Sequence, residues 1–290
     1  MDADSVLEPD ALLRAVRPFV DDPIRTVAVG GTVRIANGCR IDHGRVVEVR
    51  APTNPLALLQ TVEYLRAFLM ARLAWSKVNS LTIISGAFGL FRRANVIEVG
   101  GYTRGTVGED MELVVKLHRL MRDQKRPYRV AFIPEPVCWT EAPETLDVLG
   151  RQRSRWHRGA LETFERHRDM TFNPRYGRVG TVGFGYILLV DVLVPAFWFL
   201  GLLSVEYVLA FVAVSFTFGV VISVGALALE ESELRRFPRA TDLLTLTAIA
   251  VIENFGYRQL NNLWRLRGVW QYLRKSQSWG TMTRRGFRQV

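Results

Sequence analysis

Gly108-Glu109-Asp110 and, farther along, Gln152-Arg153-Ser154-Arg155-Trp156 bracket the stretch on which the reading of this chain turns. The first is a carboxylate pair at the start of a predicted helix. In the second, Gln152, Arg155 and Trp156 stand at i, i+3 and i+4, so on a helix they share one face. That face offers an amide, a fork-shaped cation suited to phosphate oxygens, and a flat ring suited to stacking on a sugar. Directly after it the chain turns membrane-like. Carboxylates upstream and a phosphate-and-sugar face downstream point to group transfer from a phosphorylated sugar.

The chain has 290 residues, 49% of them hydrophobic, and a net charge of +10. That is enough for a sizeable domain plus a membrane part. Up to about residue 180 it reads as soluble α/β, whereas 183–229 is nearly continuous hydrocarbon. The basic excess gathers beside the apolar segments, from Arg151 to Arg178 before them and from Arg258 to the end after them. Cations flanking spans suit a cytoplasmic membrane face and anionic lipid headgroups, so the expected partner is a lipid bilayer and not nucleic acid. Cys39 and Cys138 are too few for a disulfide framework or a zinc site. No signal peptide is seen before the domain.

Outward from the bracketed stretch, Glu8-Pro9-Asp10 starts a helix expected to stop before Pro18. Thr26–Ile35 and Val46–Val49 are predicted strands. Asn54-Pro55 starts a helix to about Trp75, with Arg66 and Arg72 set among its leucines; it fits a membrane-surface helix and a core helix equally. Ile83–Arg93 is a strand-like run interrupted by the small-residue turn Ser85-Gly86-Ala87, where something could approach the backbone closely or the chain simply bends. Thr106 to Glu109 has capping-box spacing. Leu113, Val114, Leu117, Leu120 and Met121 continue one stripe from Asp110. Tyr128–Ile133 is a strand, after which Pro134 and Pro136 lead out to the Gln152 helix. Gly183–Leu203 and Tyr207–Leu229 are each long enough as helices to cross a hydrocarbon core of about 30 Å. Leu243–Ile252 is shorter and is expected to be re-entrant or interfacial. Asp191, inside the first span, is expected to face other helices or a polar channel.

Three groups carry chemistry. Asp2 and Asp4 form a D-x-D pair that could hold Mg²⁺ or Mn²⁺ on a diphosphate; alone, a solvated acidic N-terminus is the simpler reading. Asp110 stands in a first helical turn, where the dipole favours an ionised carboxylate able to accept a hydroxyl proton. Helix-end stabilisation would need the same residues. Gln152, Arg155 and Trp156 form the rarer group, with an interfacial anchor as rival.

In this order the three groups make the chain resemble the membrane-bound processive branch of glycosyltransferase family 2, which includes cellulose, chitin, hyaluronan and poly-N-acetylglucosamine synthases. The resemblance covers essentially the whole chain, and Ser278-Trp279-Gly280-Thr281 is similar to a loop of that branch that closes over the nucleotide. It implies an α/β GT-A (Rossmann-like) domain followed by interfacial and transmembrane helices. The implied parts are a C-terminal part of the catalytic domain (1–150), the Q-x-x-R-W and interfacial helices (151–182), a transmembrane region (183–257) and a basic tail (258–290). Asp2 and Asp4 would ligate Mg²⁺ or Mn²⁺ on a UDP-sugar, UDP-GlcNAc or UDP-glucose. Asp110 would be the base, supported by Glu109; Gln152 and Arg155 would hold the diphosphate. Trp156 would stack under the acceptor polysaccharide, with Ser85, Gly86 and Trp279 also contacting substrate. The implied place is the plasma membrane, multi-pass, with the catalytic domain in the cytoplasm.

The resembled family carries strands and helices before its D-x-D, whereas Met1 here abuts Asp2. The expectation is therefore a chain lacking that half of the nucleotide fold, inactive alone and completed upstream or by a second polypeptide. Transfer onto a polyprenyl phosphate, and a non-catalytic subunit of a split synthase, are the alternative readings.

Overall fold

The computed structural model describes residues 5–193, 205–234 and 237–275. Its strands are β1 (Ser5–Leu7), β2 (Thr26–Ile35), β3 (Arg40–Asp42), β4 (Arg45–Glu48), β5 (Gly89–Phe91) and β6 (Arg129–Thr140). Its α-helices are α1 (Ala11–Asp21), α2 (Pro55–Leu65), α3 (Leu73–Lys77), α4 (Arg93–Glu98), α5 (Glu109–Asp123) and α6 (Leu146–Arg166), then α7 (Val205–Leu229), α8 (Ala240–Ile252) and α9 (Tyr257–Leu273). Asp2, Asp4 and Trp279 lie outside the described residues.

A mixed sheet runs in the order β1-β6-β2-β5. The β-branched run Thr26–Ile35 forms β2 and is buried along its whole length. It pairs in parallel with β6 and antiparallel with β5, while β1 closes on the other side of β6. Parallel neighbours need a long crossover, and the segment from α2 to α5 supplies it. Strand β6 outruns the expected end at Pro134. Register shifts beside Thr32 absorb the two prolines, which cannot donate to a ladder, and the Thr32 hydroxyl donates to the Pro134 carbonyl at 2.8 Å. Helix α1 likewise passes through Pro18, whose carbonyl accepts from the Asp22 N–H and from the Thr26 hydroxyl at 2.8 Å. Only Gly89–Phe91 of the run 83–93 is strand; Ser85 to Phe88 is a turn closed by a 3.0 Å backbone bond. Helix α6 begins at Leu146, with Thr145 accepting from Val148 N–H, so a border between 150 and 151 falls inside a helix.

Asn54 caps α2 by accepting from the N–H groups of Leu56 and Ala57 at 2.9 and 3.3 Å. The helix then runs without a break through a π-helical turn (Arg66–Arg72) into α3. This long helix packs in two directions. Phe68 enters the core built on Val27, Val29, Val130 and Val114. Val62, Leu65 and Leu69 instead meet Ala226, Leu246 and Ala250 of α7 and α8. It is a core helix, and Arg66 finds its partner inside the protein. Arg66 pairs with the fully buried Glu253, which also accepts from Ser223 at 2.9 Å and from Arg258 at 2.8 Å. Arg34 of β2 pairs with the equally buried Glu230.

Among the described residues one helix, Ala213–Leu234, is long and apolar enough to cross a membrane. Of the other expected span, 194–203 lie outside the described residues, and Val179–Leu193 is a shorter apolar helix. Helix α8 has 13 residues, about 20 Å, short of a hydrocarbon core. Asp191 pairs with Arg265 of α9 at 3.3 Å.

Removing the carboxylate that serves Arg66 and Arg258 leaves two cations facing an apolar helix interface. Glu253→Leu is expected to lose about 3–5 kcal/mol of stability. Thermal unfolding in detergent measures it, and a variant as stable as the parent would contradict the packing described.

Candidate active site

The start of α5 is fixed by a contact that side chains do not make. Gly108 and Gly159 touch backbone to backbone: a Cβ built on Gly159 would lie 2.7 Å from Gly108 Cα and N. Only glycine at both positions lets α5 and α6 meet this closely. Glu162, one turn farther along α6, accepts from the Thr106 hydroxyl at 2.7 Å and the Val107 N–H at 3.1 Å. Thr106 therefore braces the loop against α6, and the expected capping box does not form. Gly108 is the N-cap, without a side-chain cap, and its N–H donates to Thr106 Oγ1 at 3.2 Å. The preceding loop is clamped too. Lys116 donates to Gly101 O and Thr103 Oγ1, and Thr103 donates to the buried Glu112 at 2.6 Å. Burial works against ionising Glu112, yet hydrogen bonds from His167 and Thr103 and the Lys116 charge hold its carboxyl below the usual range.

This frame presents Asp110 to the small-residue turn. Gly86 N–H donates to Asp110 Oδ2 at 3.1 Å, and Met111 N–H donates to Oδ1 at 2.7 Å. Two backbone donors thus orient the carboxylate, and the Ser85-Gly86-Ala87 turn lies against Asp110. Ser85 belongs to the same turn, its hydroxyl accepting from Ala87 N–H at 3.4 Å.

Arg72 adds a cation that the motif reading passed over. Its guanidinium lies 3.8 Å above the Phe68 ring. Burial pushes it down to about 10, while the Asp110 carboxylate pulls the other way. Its Nη1 is buried with no hydrogen-bond partner among the described residues. An arginine set among the leucines of that helix was the available signal.

On α6, Gln152 is buried and its Oε1 has no partner among the described residues. Arg155 is half-buried, and Trp156 is 42% exposed. Trp156 stands one turn before Gly159 on the same helix. Among the described residues no three His, Cys, Asp or Glu side chains converge on a metal site.

Residues 1–229 match the family described as glycosyl transferase family group 2. Poly-beta-1,6-N-acetyl-D-glucosamine synthase of Staphylococcus aureus (strain COL) is 29% identical over 198 residues, which are 68% of this chain and 42% of that protein. Its counterpart in Staphylococcus epidermidis is 30% identical over 166 residues, 57% of this chain and 35% of that one. The chain thus spans less than half the length of these relatives. The solved mannosyltransferase PcManGT of Pyrobaculum calidifontis, in complex with GDP-Man and Mn²⁺, superimposes with a TM-score of 0.50 at 18% identity. The overlap covers 94% of this chain and 63% of that one. That likeness identifies the fold as GT-A.

Gly159→Ala should push the start of α5 off α6 by overpacking, at about 1–3 kcal/mol. Hydrogen exchange at the Gly86 and Glu112 amides should then quicken about 5- to 150-fold, with Leu117 unaffected. Unchanged exchange at Gly86 would contradict the bracing role of the contact.

Proposed function

The chain belongs to glycosyl transferase family group 2, and we propose that it transfers a sugar from a UDP-sugar to a growing β-linked polysaccharide, inverting the anomeric carbon. The observation that carries this reading is the Asp110 carboxylate, oriented by the Gly86 N–H at 3.1 Å at the start of a helix braced on α6. UDP-GlcNAc is favoured over UDP-glucose by the relatives named as poly-N-acetylglucosamine synthases.

In the proposed reaction an acceptor hydroxyl attacks the anomeric carbon, its proton passes to Asp110, and UDP leaves with the bonding electron pair. Glu109 supports the base. Gln152 and Arg155 hold the diphosphate, and Trp156 stacks against the acceptor sugar. Ser85 and Gly86 shape the floor of the site, and Trp279 closes over the nucleotide. Positioning and charge neutralisation provide most of the acceleration.

A bound Mg²⁺ or Mn²⁺ would offset the charge of the departing diphosphate. Asp2 and Asp4 immediately precede β1, whose Ser5 pairs with Thr140. Such a cation takes one or two carboxylates and completes its shell with phosphate oxygens and water, so this pair suits it without a third protein ligand. Helix Ala213–Leu234 and the apolar run before it are proposed to place the site at the cytoplasmic face of the plasma membrane, in a multi-pass arrangement.

Asp110→Asn should lower polymer formation by about 10²-fold or more, while UDP still binds. Near-parental synthesis of polymer from labelled UDP-sugar would refute the assignment of the base.

A further inference from the structure

The two residues between Gln152 and Arg155 in the motif are where α6 is anchored. Ser154 donates to Trp264 O at 3.0 Å, and Gly268 leaves room for the Ser154 carbonyl, which a Cβ there would approach to 2.7 Å. Gly150 does the same for the Trp264 indole. Helix α9 is therefore seated directly on α6. Arg153 points elsewhere. Its Nη2 donates to Glu63 Oε2 at 2.8 Å, and the Tyr257 hydroxyl donates to the same oxygen at 2.8 Å. One carboxylate oxygen thus ties α2, α6 and the first residue of α9. Burial and the Glu63 charge push the Tyr257 phenol upward, so it remains a proton donor.

The Arg153 guanidinium also lies 4.5 Å from the centroid of the Trp156 ring. Arg153 is 8% exposed and Trp156 42%. A fixed, buried cation on one face of the ring turns the remaining surface of the ring toward solvent and limits its rotation. Because Glu63 balances the Arg153 charge, this platform presents little net field to a phosphate. It suits a neutral pyranose, whose C–H face stacks on a flat ring.

We propose that Arg153, braced by Glu63 and Tyr257, is a positioning residue that holds Trp156 as the platform for the acceptor sugar. The inference rests on the transferase reading above. It assigns acceptor binding to the Glu63-Arg153-Trp156 relay and leaves the nucleotide to other residues.

Binding separates it from a merely structural role. With the protein in detergent, calorimetry measures the affinity for a β-1,6-linked N-acetylglucosamine tetramer and, separately, for UDP with Mn²⁺. Arg153→Met and Glu63→Gln should weaken tetramer binding about tenfold and leave UDP binding unchanged. Arg153→Lys, which keeps the ion pair but not the flat stacking group, should fall between them and the parent. Parallel loss of both ligands would reveal a general loosening of α6 and overturn the proposal, as would unchanged tetramer binding in Arg153→Met. If Trp156→Ala lowers attachment to anionic phosphatidylglycerol vesicles yet binds the tetramer normally, the ring is a lipid anchor and the proposal also falls. A parent protein that binds both ligands in this pattern but forms no polymer would refute the transferase reading alone.

Discussion

Where Gly108 meets Gly159, two helices approach so closely that backbone packs on backbone, and the start of the helix that carries Asp110 is set at that point. Helix α5 begins there, so the contact decides where the Asp110 carboxylate stands. Helix α6 passes through it, with Trp156 one turn earlier along the helix. Glu162 reinforces the contact from the α6 side by taking donors from Thr106 and Val107. Neither helix could shift without opening a gap that a side chain would have to fill, and glycine has none.

The long helix from Pro55 to Lys77 joins this site to the apolar part of the chain. Its hydrophobic residues divide between the sheet core and the helices beyond it. Its charged residues divide in the same way: Glu63 reaches Arg153 and Tyr257, Arg66 reaches Glu253, and Arg72 stands near Asp110. Buried ion pairs contribute modestly to stability once desolvation is counted, but each is costly to break singly. Their effect here is to fix how α2, α6 and α9 sit relative to one another. A transferase needs that rigidity, because a reacting hydroxyl misplaced by about 1 Å can lose on the order of a hundredfold in rate.

Much of this was legible in local sequence. Thr26–Ile35 is a strand because its β-branched residues suit a buried pleated surface, and its bounds agree with the expectation. Helix α5 follows from its apolar stripe, and α2 from the Asn54-Pro55 cap. Asp110 and the Ser85-Gly86 turn were both singled out, but their meeting was not, since they lie 24 positions apart. Strand β6 was cut short because proline forbids a ladder bond, while the bulges in β6 that accommodate the prolines show only in its register against β2. Thr106 has the spacing of a capping residue, yet a glutamate on a distant helix competes for its hydroxyl. Arg72, Glu63 and Arg153 escaped for a related reason. Periodicity shows which face of a helix is apolar, not which charge 90 residues away will be buried against it. Asp2, Asp4 and Trp279 lie outside the described residues, so their roles stand on sequence.

The most direct measurement is a structure of the protein with UDP, Mn²⁺ and a β-1,6-linked N-acetylglucosamine acceptor. An acceptor hydroxyl about 3 Å from an Asp110 carboxylate oxygen and a pyranose ring stacked on Trp156 are expected. An acceptor seated elsewhere, with Trp156 against lipid and Asp110 bonded only to backbone donors, would contradict this expectation.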